Sequence, residues 1–151
     1  MPAAEIDYFP PFSLVKKNLQ FKSVQGQVQV SLPYDELIHL VKLMARSVPV
    51  DERWYLARNP DVVAAIKNGQ IRSAREHWIE FGYFEGRWPC QLAVDPDWYL
   101  KQYPDVAQAL ARGAIQSPHA HFLEFGYQEG RLPASISGVR IELDQSRRED
   151  A

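Results

Sequence analysis

The segment HWIEFGYFEGRWP, His77–Pro89, returns later in the chain as HFLEFGYQEGRLP, His121–Pro133. The same offset of 44 residues holds without a gap between residues 51–89 and residues 95–133, and about half of the aligned positions are identical. A fixed period of this size is typical of a duplicated supersecondary unit. The sequence therefore predicts two tandem helical repeats that share a core, since a unit this short does not easily bury its own apolar face.

Each predicted repeat carries the signals for three short helices. In the first repeat Asp51 is placed to cap the first helix, because a carboxylate there accepts hydrogen bonds from unpaired backbone N–H groups. The PDV sequence at Pro60 starts the second helix, and Gly69 provides a left-handed stop. Ser73 and Glu76 form a capping box for the third helix.

The third helix of each repeat is predicted to turn one face inward and to end at a glycine, Gly82 or Gly126. The residues of this face are Ala74, His77, Trp78 and Phe81 in the first repeat and Pro118, His121, Phe122 and Phe125 in the second. The positions shared by the two repeats are mostly caps, turn glycines, prolines and large apolar residues. Such residues indicate an architecture that is built twice rather than a reaction centre.

The segments before and after the two repeats space their apolar residues differently. The period changes in residues 12–32, where LQFKSV and QVQVSL alternate on either side of Gln25-Gly26, which predicts a β-hairpin. An amphipathic helix follows, with its apolar stripe on Leu37, Leu40, Val41 and Met44. Near the other end, Val139–Leu143 alternates again and is a candidate third strand, followed by a charged tail. A lone hairpin is marginal in water, so it needs the C-terminal strand, the amphipathic helix or the hairpin of another subunit. Because its edges are exposed, we favour a homo-oligomer, with a dimer as the default.

These patterns predict a mainly α protein with a small antiparallel β element (α+β), folded as one compact domain. Its parts are a hairpin and amphipathic helix in residues 1–50, helical repeats in residues 51–89 and 95–133, and a strand and charged tail in residues 134–151.

Composition narrows the function classes. The formal net charge is −2, so general affinity for nucleic acid is not expected. Apolar runs are too short to cross a bilayer, and the first residues lack the basic-then-apolar order of a signal peptide. With Cys90 as the single cysteine, no intrachain disulfide can form, and the sequence favours a cytoplasmic protein without membrane insertion.

The two units, WYLARNPDVVAAIKNGQ with SAREHWIEFGYFEGRWP and WYLKQYPDVAQALARGA with SPHAHFLEFGYQEGRLP, resemble a short bacterial helical repeat of the form YLxxxPDVAxA…HYxxxGxxEGRxP. That repeat occurs as an accessory element in glycosyltransferases, polysaccharide-biosynthesis proteins and surface or secreted proteins. The resemblance covers roughly half of the chain and brings no catalytic residues with it. It implies an accessory role, in which any link to glycan synthesis runs through a partner protein.

Several polar residues recur in both units. His77 with Glu80, and His121 with Glu124, have the i, i+3 spacing at which an imidazole and a carboxylate share a metal ion or a proton. The alternative, which we favour, places each histidine in an apolar stripe, bonded to a backbone carbonyl or a repeat acid. The charged residues expected to form a structural cluster are Asp61, Glu85 and Arg87 in one unit and Asp105, Glu129 and Arg131 in the other.

Recurring aromatic residues are the candidate binding residues, because aromatic faces stack on sugar rings or on side chains of a partner. They are Trp54, Tyr55, Trp88, Trp98 and Tyr99. Core packing accounts for most of them, and Trp88 is the best exception because a leucine stands at its counterpart. Cys90 is a nucleophile only beside an activating base, so a spectator thiol is the expected role.

The sequence thus favours a non-catalytic protein-interaction or scaffold module, accessory to bacterial polysaccharide or cell-envelope biology. Its expected partners are other proteins and further copies of itself, and no cofactor or metal is implied. The first alternative is a glycan-binding protein that uses the repeat aromatics, and the second is a metal-dependent enzyme built on the His-x-x-Glu pairs.

Overall fold

The computed structural model describes residues 10–17 and 19–135, and this part of the chain is mainly helical with one small antiparallel sheet. The mainly α, α+β class is therefore confirmed. The predicted strand at residues 139–143 and the charged tail lie outside the described residues. Within the described ranges, no helix is long and apolar enough to cross a membrane. The chain divides between Gln91 and Leu92 into two units, here the N-terminal and C-terminal units. A single compact domain stays a prediction.

The helices and strands of the N-terminal unit follow the sequence signals except at Phe12–Lys17, a helix that the sequence did not predict. They are α1 (Phe12–Lys17), β1 (Gln20–Val24), β2 (Gln27–Ser31), α2 (Tyr34–Ala45), α3 (Glu52–Arg58), α4 (Pro60–Lys67) and α5 (Ala74–His77). The C-terminal unit contains α6 (Pro96–Gln102), α7 (Pro104–Ala111) and α8 (Pro118–His121). Each of α6, α7 and α8 begins 44 residues after α3, α4 or α5.

The hairpin forms as predicted around its two-residue turn. Gln25 and Gly26 have φ of 51° and 78°, which is the pair of left-handed residues that a tight hairpin turn requires. Phe21 pairs with Val30 across the strands, so alternation places these apolar residues on one face together with Val28. The Nζ atom of Lys16 lies over the ring of Phe21, 5.5 Å from its centroid, but the face remains exposed, and Val28 is 71% exposed.

Helix α2 meets the core with a face other than the predicted stripe. Ala45 at its end is buried, whereas Leu37 and Met44 remain exposed and only Leu40 and Val41 are half-buried. The predicted stripe is therefore only partly correct. The helix is instead held by its short alanine in the core and by the ion pair described below.

Caps start the helices at the predicted residues. The carboxylate of Asp51 accepts a hydrogen bond from the N–H of Trp54 (2.9 Å), and the hydroxyl of Ser73 accepts one from the N–H of Glu76 (3.0 Å). The Glu76 carboxylate, however, accepts from the N–H of Arg72 (2.7 Å), one residue before the position that a capping box predicts. The side chain of Arg72 also pairs with this carboxylate, which accounts for the shift.

A π-helical turn, Trp78–Gly82, continues α5 and corrects the predicted inward face. The N–H of Tyr83 donates to the carbonyl of Trp78 (2.8 Å), five residues back. Because this turn holds one residue more than an α turn, Phe81 is rotated outward and is 50% exposed. The helix ends at Gly82 as predicted, although this glycine is buried without a left-handed φ; Gly86, with φ of 75°, takes that conformation.

The third helix of the C-terminal unit departs from the prediction in the same way. A π-helical turn, Phe122–Gly126, continues α8, and Phe125 is exposed rather than inward-facing. Gly130 has φ of 74°, whereas Gly126 is buried without a left-handed φ. The fully or nearly fully buried core residues are Tyr55, Val62, Ala74, Trp78 and Ile79 in the N-terminal unit and Tyr99, Val106 and Phe122 in the C-terminal unit.

Candidate functional site

In each unit a fully buried tyrosine forms a hydrogen bond with a histidine. Helix α3 places Tyr55 in the core with 0% exposure, and its hydroxyl lies 2.9 Å from Nδ1 of His77 at the end of α5. In the C-terminal unit the hydroxyl of Tyr99 lies 3.0 Å from Nδ1 of His121. The histidines thus bond a tyrosine, and the prediction of a backbone carbonyl or a repeat acid as their partner is wrong.

Electrostatics keep the first pair uncharged near neutral pH. Burial raises the pKa of Tyr55 to about 12. Burial also lowers the pKa of His77, and the positive charge of Arg87 lowers it further. Since the tyrosine is protonated and the imidazole neutral, the hydroxyl and Nδ1 form a hydrogen bond between two uncharged groups. Burial likewise raises the pKa of Tyr99 to about 12.

In each unit one arginine forms a cluster of hydrogen bonds and ion pairs with neighbouring polar residues. Arg87 donates two hydrogen bonds to the carboxylate of Asp61 (2.8 and 3.0 Å) and one to Asn59 Oδ1 (3.0 Å), and it pairs with Glu85 (2.7 Å). The bonds from Arg87 lower the pKa of Asp61. These contacts join the turn after α5 to the start of α4.

The C-terminal unit builds the same cluster around Arg131. This arginine donates two hydrogen bonds to Asp105 (2.7 and 2.9 Å) and one to Glu129 (2.6 Å). Its guanidinium also lies over the ring of Tyr103, 4.9 Å from the centroid, at the position that Asn59 occupies in the other unit. All the charged residues predicted to cluster are therefore in contact, and they form ion pairs rather than an open site.

The His-x-x-Glu spacing does not assemble a metal centre. Glu80 pairs with Lys42 of α2 (2.6 Å), while His77 faces Tyr55 in the core. Glu124 is exposed. Within the described ranges, no group of three histidine, cysteine or acidic side chains is placed to hold a metal ion.

The predicted binding aromatics separate into buried and half-buried residues. Tyr55 and Tyr99 are fully buried, so the prediction that their rings stack on a ligand is wrong. Trp98 is half-buried, packs on the core and meets Tyr103 edge-on at 6.2 Å. Tyr55 and Tyr99 belong to the buried hydrogen bonds with the histidines, so their rings present no stacking surface.

Trp54 and Trp88 are brought together around a residue that the sequence did not single out, Arg58. The guanidinium carbon of Arg58 lies 5.0 Å from the ring centroid of Trp54 and 5.9 Å from that of Trp88. Trp54 and Arg58 are four residues apart on α3, a spacing that predicts contact on a helix. Trp88 arrives from the end of the unit, because the N–H of Asp51 donates to the carbonyl of Pro89 (3.0 Å).

A second group of aromatics was also missed. Phe81, Tyr83 and Phe84 are all exposed on or just after the first π-helical turn, with Tyr83 and Phe84 edge-on at 5.3 Å. No sequence signal for the π-helical turn marked them as a surface group. Cys90 is half-buried near the end of the N-terminal unit.

Comparison with protein-family models, with curated proteins and with solved structures found no match.

Proposed function

We propose that residues 51–89 and 95–133 are two tandem helical repeats that form a non-catalytic interaction module. The main support for this proposal is the position of His77 and His121, the two histidines that the sequence offers for catalysis. His77 and His121 each bond a fully buried tyrosine, within their own unit. The Nδ1 atom of each histidine therefore takes part in a structural hydrogen bond within the unit.

Recurring contacts support the duplication. The Tyr–His bond, the bidentate Arg–Asp pair and the backbone bond from an aspartate N–H to a proline carbonyl all occur in both units at an offset of 44 residues. A further pair recurs with different residues: Arg75 donates to the carbonyl of Val48 (3.4 Å), and His119 Nε2 lies 3.0 Å from the carbonyl of Leu92.

We further propose that the module self-associates and serves bacterial polysaccharide or cell-envelope biology from the cytoplasm. Self-association is supported by the apolar face of the hairpin, on which Phe21, Val28 and Val30 are all exposed. The biological setting is supported by the resemblance of the two units to an accessory repeat.

The test is capture of partners by the full-length tagged chain, expressed at native level in its host and chemically crosslinked before lysis. The proposal expects specific recovery of at least one other protein at near-stoichiometric amount, against a tag-only control. Recovery of nothing above that control would overturn the proposal of an interaction module.

A further inference from the structure

Arg58 lies near two tryptophan rings and is exposed at the surface of the N-terminal unit. A guanidinium carries its five N–H donors in its plane and offers flat faces above and below. The rings of Trp54 and Trp88 lie within cation–π distance of this group. No hydrogen bond from Arg58 to any residue in the described ranges accompanies these contacts.

The C-terminal unit forms the same framework without this arrangement. Gln102 stands at the position of Arg58 and Leu132 at that of Trp88, while Trp98 corresponds to Trp54. The backbone bond from Asp95 to Pro133 is nevertheless present at 3.0 Å, as is the Tyr–His bond. The Trp–Arg–Trp group is therefore additional to what the framework of a unit requires.

The arrangement of Arg58 and the two tryptophan rings indicates which chemical group would bind there. With ring contacts restricting the arginine, its in-plane donors match the two oxygens of a carboxylate, which a guanidinium binds bidentately. Holding the side chain in advance reduces the rotamer entropy lost on binding. The tryptophan surfaces turned toward Arg58 are occupied, so they do not offer a stacking surface to a sugar ring.

We propose that Trp54, Arg58 and Trp88 form an anchoring site for a carboxylate side chain in an acidic segment of a protein partner. Tryptophan and arginine are the residues most enriched among those that dominate interface energetics, which agrees with this role. The inference rests on the proposed interaction function and adds the partner's chemistry to it.

The test titrates the full-length protein with a short fluorescent polyglutamate peptide at low salt and follows fluorescence anisotropy. Arg58→Gln and Trp88→Leu install the residues found at the corresponding positions of the C-terminal unit, so both variants keep a framework the chain already uses. We expect binding by the wild type and a loss of about tenfold in affinity for Arg58→Gln, the loss expected for a charge-assisted hydrogen bond. Trp88→Leu is expected to weaken binding less.

Arg53→Gln is the matched control, because it removes the same charge from an exposed position on α3. Equal weakening by Arg53→Gln and Arg58→Gln would mean that only overall charge matters and would overturn the proposal. Failure of the wild type to bind polyglutamate would do the same. Arg58-dependent binding of oligogalacturonate in place of the peptide would replace the proposed partner with an acidic glycan.

Partner capture separates this inference from the proposed function. If the wild type recovers a protein and Arg58→Gln recovers it equally well, the anchoring site is wrong and the interaction module stands. If the wild type recovers nothing above the tag-only control, the interaction module itself is wrong.

Discussion

The hydroxyl of Tyr55 occupies the space that a side chain on Gly82 would need. A Cβ built on Gly82 would overlap the hydroxyl oxygen, and one built on Gly126 would overlap the hydroxyl of Tyr99. Each glycine is thus required by a close approach within the core rather than by a left-handed backbone. The π-helical turn presents the glycine to the tyrosine, and α5 or α8 presents the histidine to the same hydroxyl.

Gly82→Ala is expected to destabilise the protein by about 1–3 kcal/mol, the usual cost of overpacking a core. Tyr55→Phe is expected to cost about 1–3 kcal/mol, since it leaves the buried Nδ1 of His77 without its hydrogen-bond partner. Urea unfolding of both variants and the double variant checks the relationship. Because the phenylalanine removes the overlapping oxygen, the double variant should lose clearly less than the sum of the two. Simple additivity would contradict the overlap.

Acidification is expected to weaken the fold through His77. Its folded-state pKa is lowered, so the unfolded chain binds the proton more readily. The stability from the neutral imidazole is fully present above the unfolded pKa of about 6.5 and is lost as pH falls through the folded pKa. The free energy of unfolding should therefore decrease from about pH 7 to about pH 5. His77→Gln should show a shallower dependence in this window; an unchanged slope would exclude His77 as its source.

Alkaline pH is expected to weaken the fold through the two buried tyrosines. Their pKa is raised from 10.0 to about 12, so the unfolded chain releases these protons first. This contribution is complete below about pH 10 and is lost as pH rises toward 12. Urea unfolding across this window should show a smaller loss in Tyr55→Phe/Tyr99→Phe than in the wild type. Parallel curves would argue against raised tyrosine pKa values.

Arg87→Lys is expected to lower the free energy of unfolding by about 1 kcal/mol, since lysine cannot reproduce the bidentate bond to Asp61 together with the bond to Asn59. Arg72→Lys is the control, because the side chain of Arg72 is 89% exposed and pairs with Glu76 on the surface. That control should change stability by less than about 0.5 kcal/mol. Thermal and urea unfolding compare the two variants. Equal effects would show that the Arg87 cluster is no more than a surface ion pair.

The hairpin face is expected to mediate self-association. Val28→Lys places a charge on the apolar face, whereas Gln29→Lys places the same charge on the opposite face of the same strand. Light scattering on a sizing column should give a dimer for the wild type and Gln29→Lys, and a monomer for Val28→Lys. A monomeric wild type, or a dimer that tolerates Val28→Lys, would contradict this surface.

Short-range signals predicted the beginnings of helices and the hairpin correctly. Asp51, Ser73 and Gln25-Gly26 act on neighbours within a few residues, so their effect can be read directly along the chain. The inward face of the third helix was predicted only in part, because an α-helical period was assumed through a π-helical turn. That assumption put Phe81 inside, which is wrong, whereas the helix does end at Gly82 as predicted.

What the sequence determined by itself is the segmentation into short capped helices and a hairpin, since backbone caps, left-handed turn residues and side-chain alternation are local. Tertiary structure alone decided which polar and aromatic groups meet. Tyr55 reaches His77 across 22 residues, and Trp88 reaches Arg58 because Asp51 is bonded to Pro89. The physical reason is that such contacts depend on how helices pack in space. Packing buries Tyr55, a candidate stacking residue, in the core, and it leaves Arg58 exposed near the rings of Trp54 and Trp88.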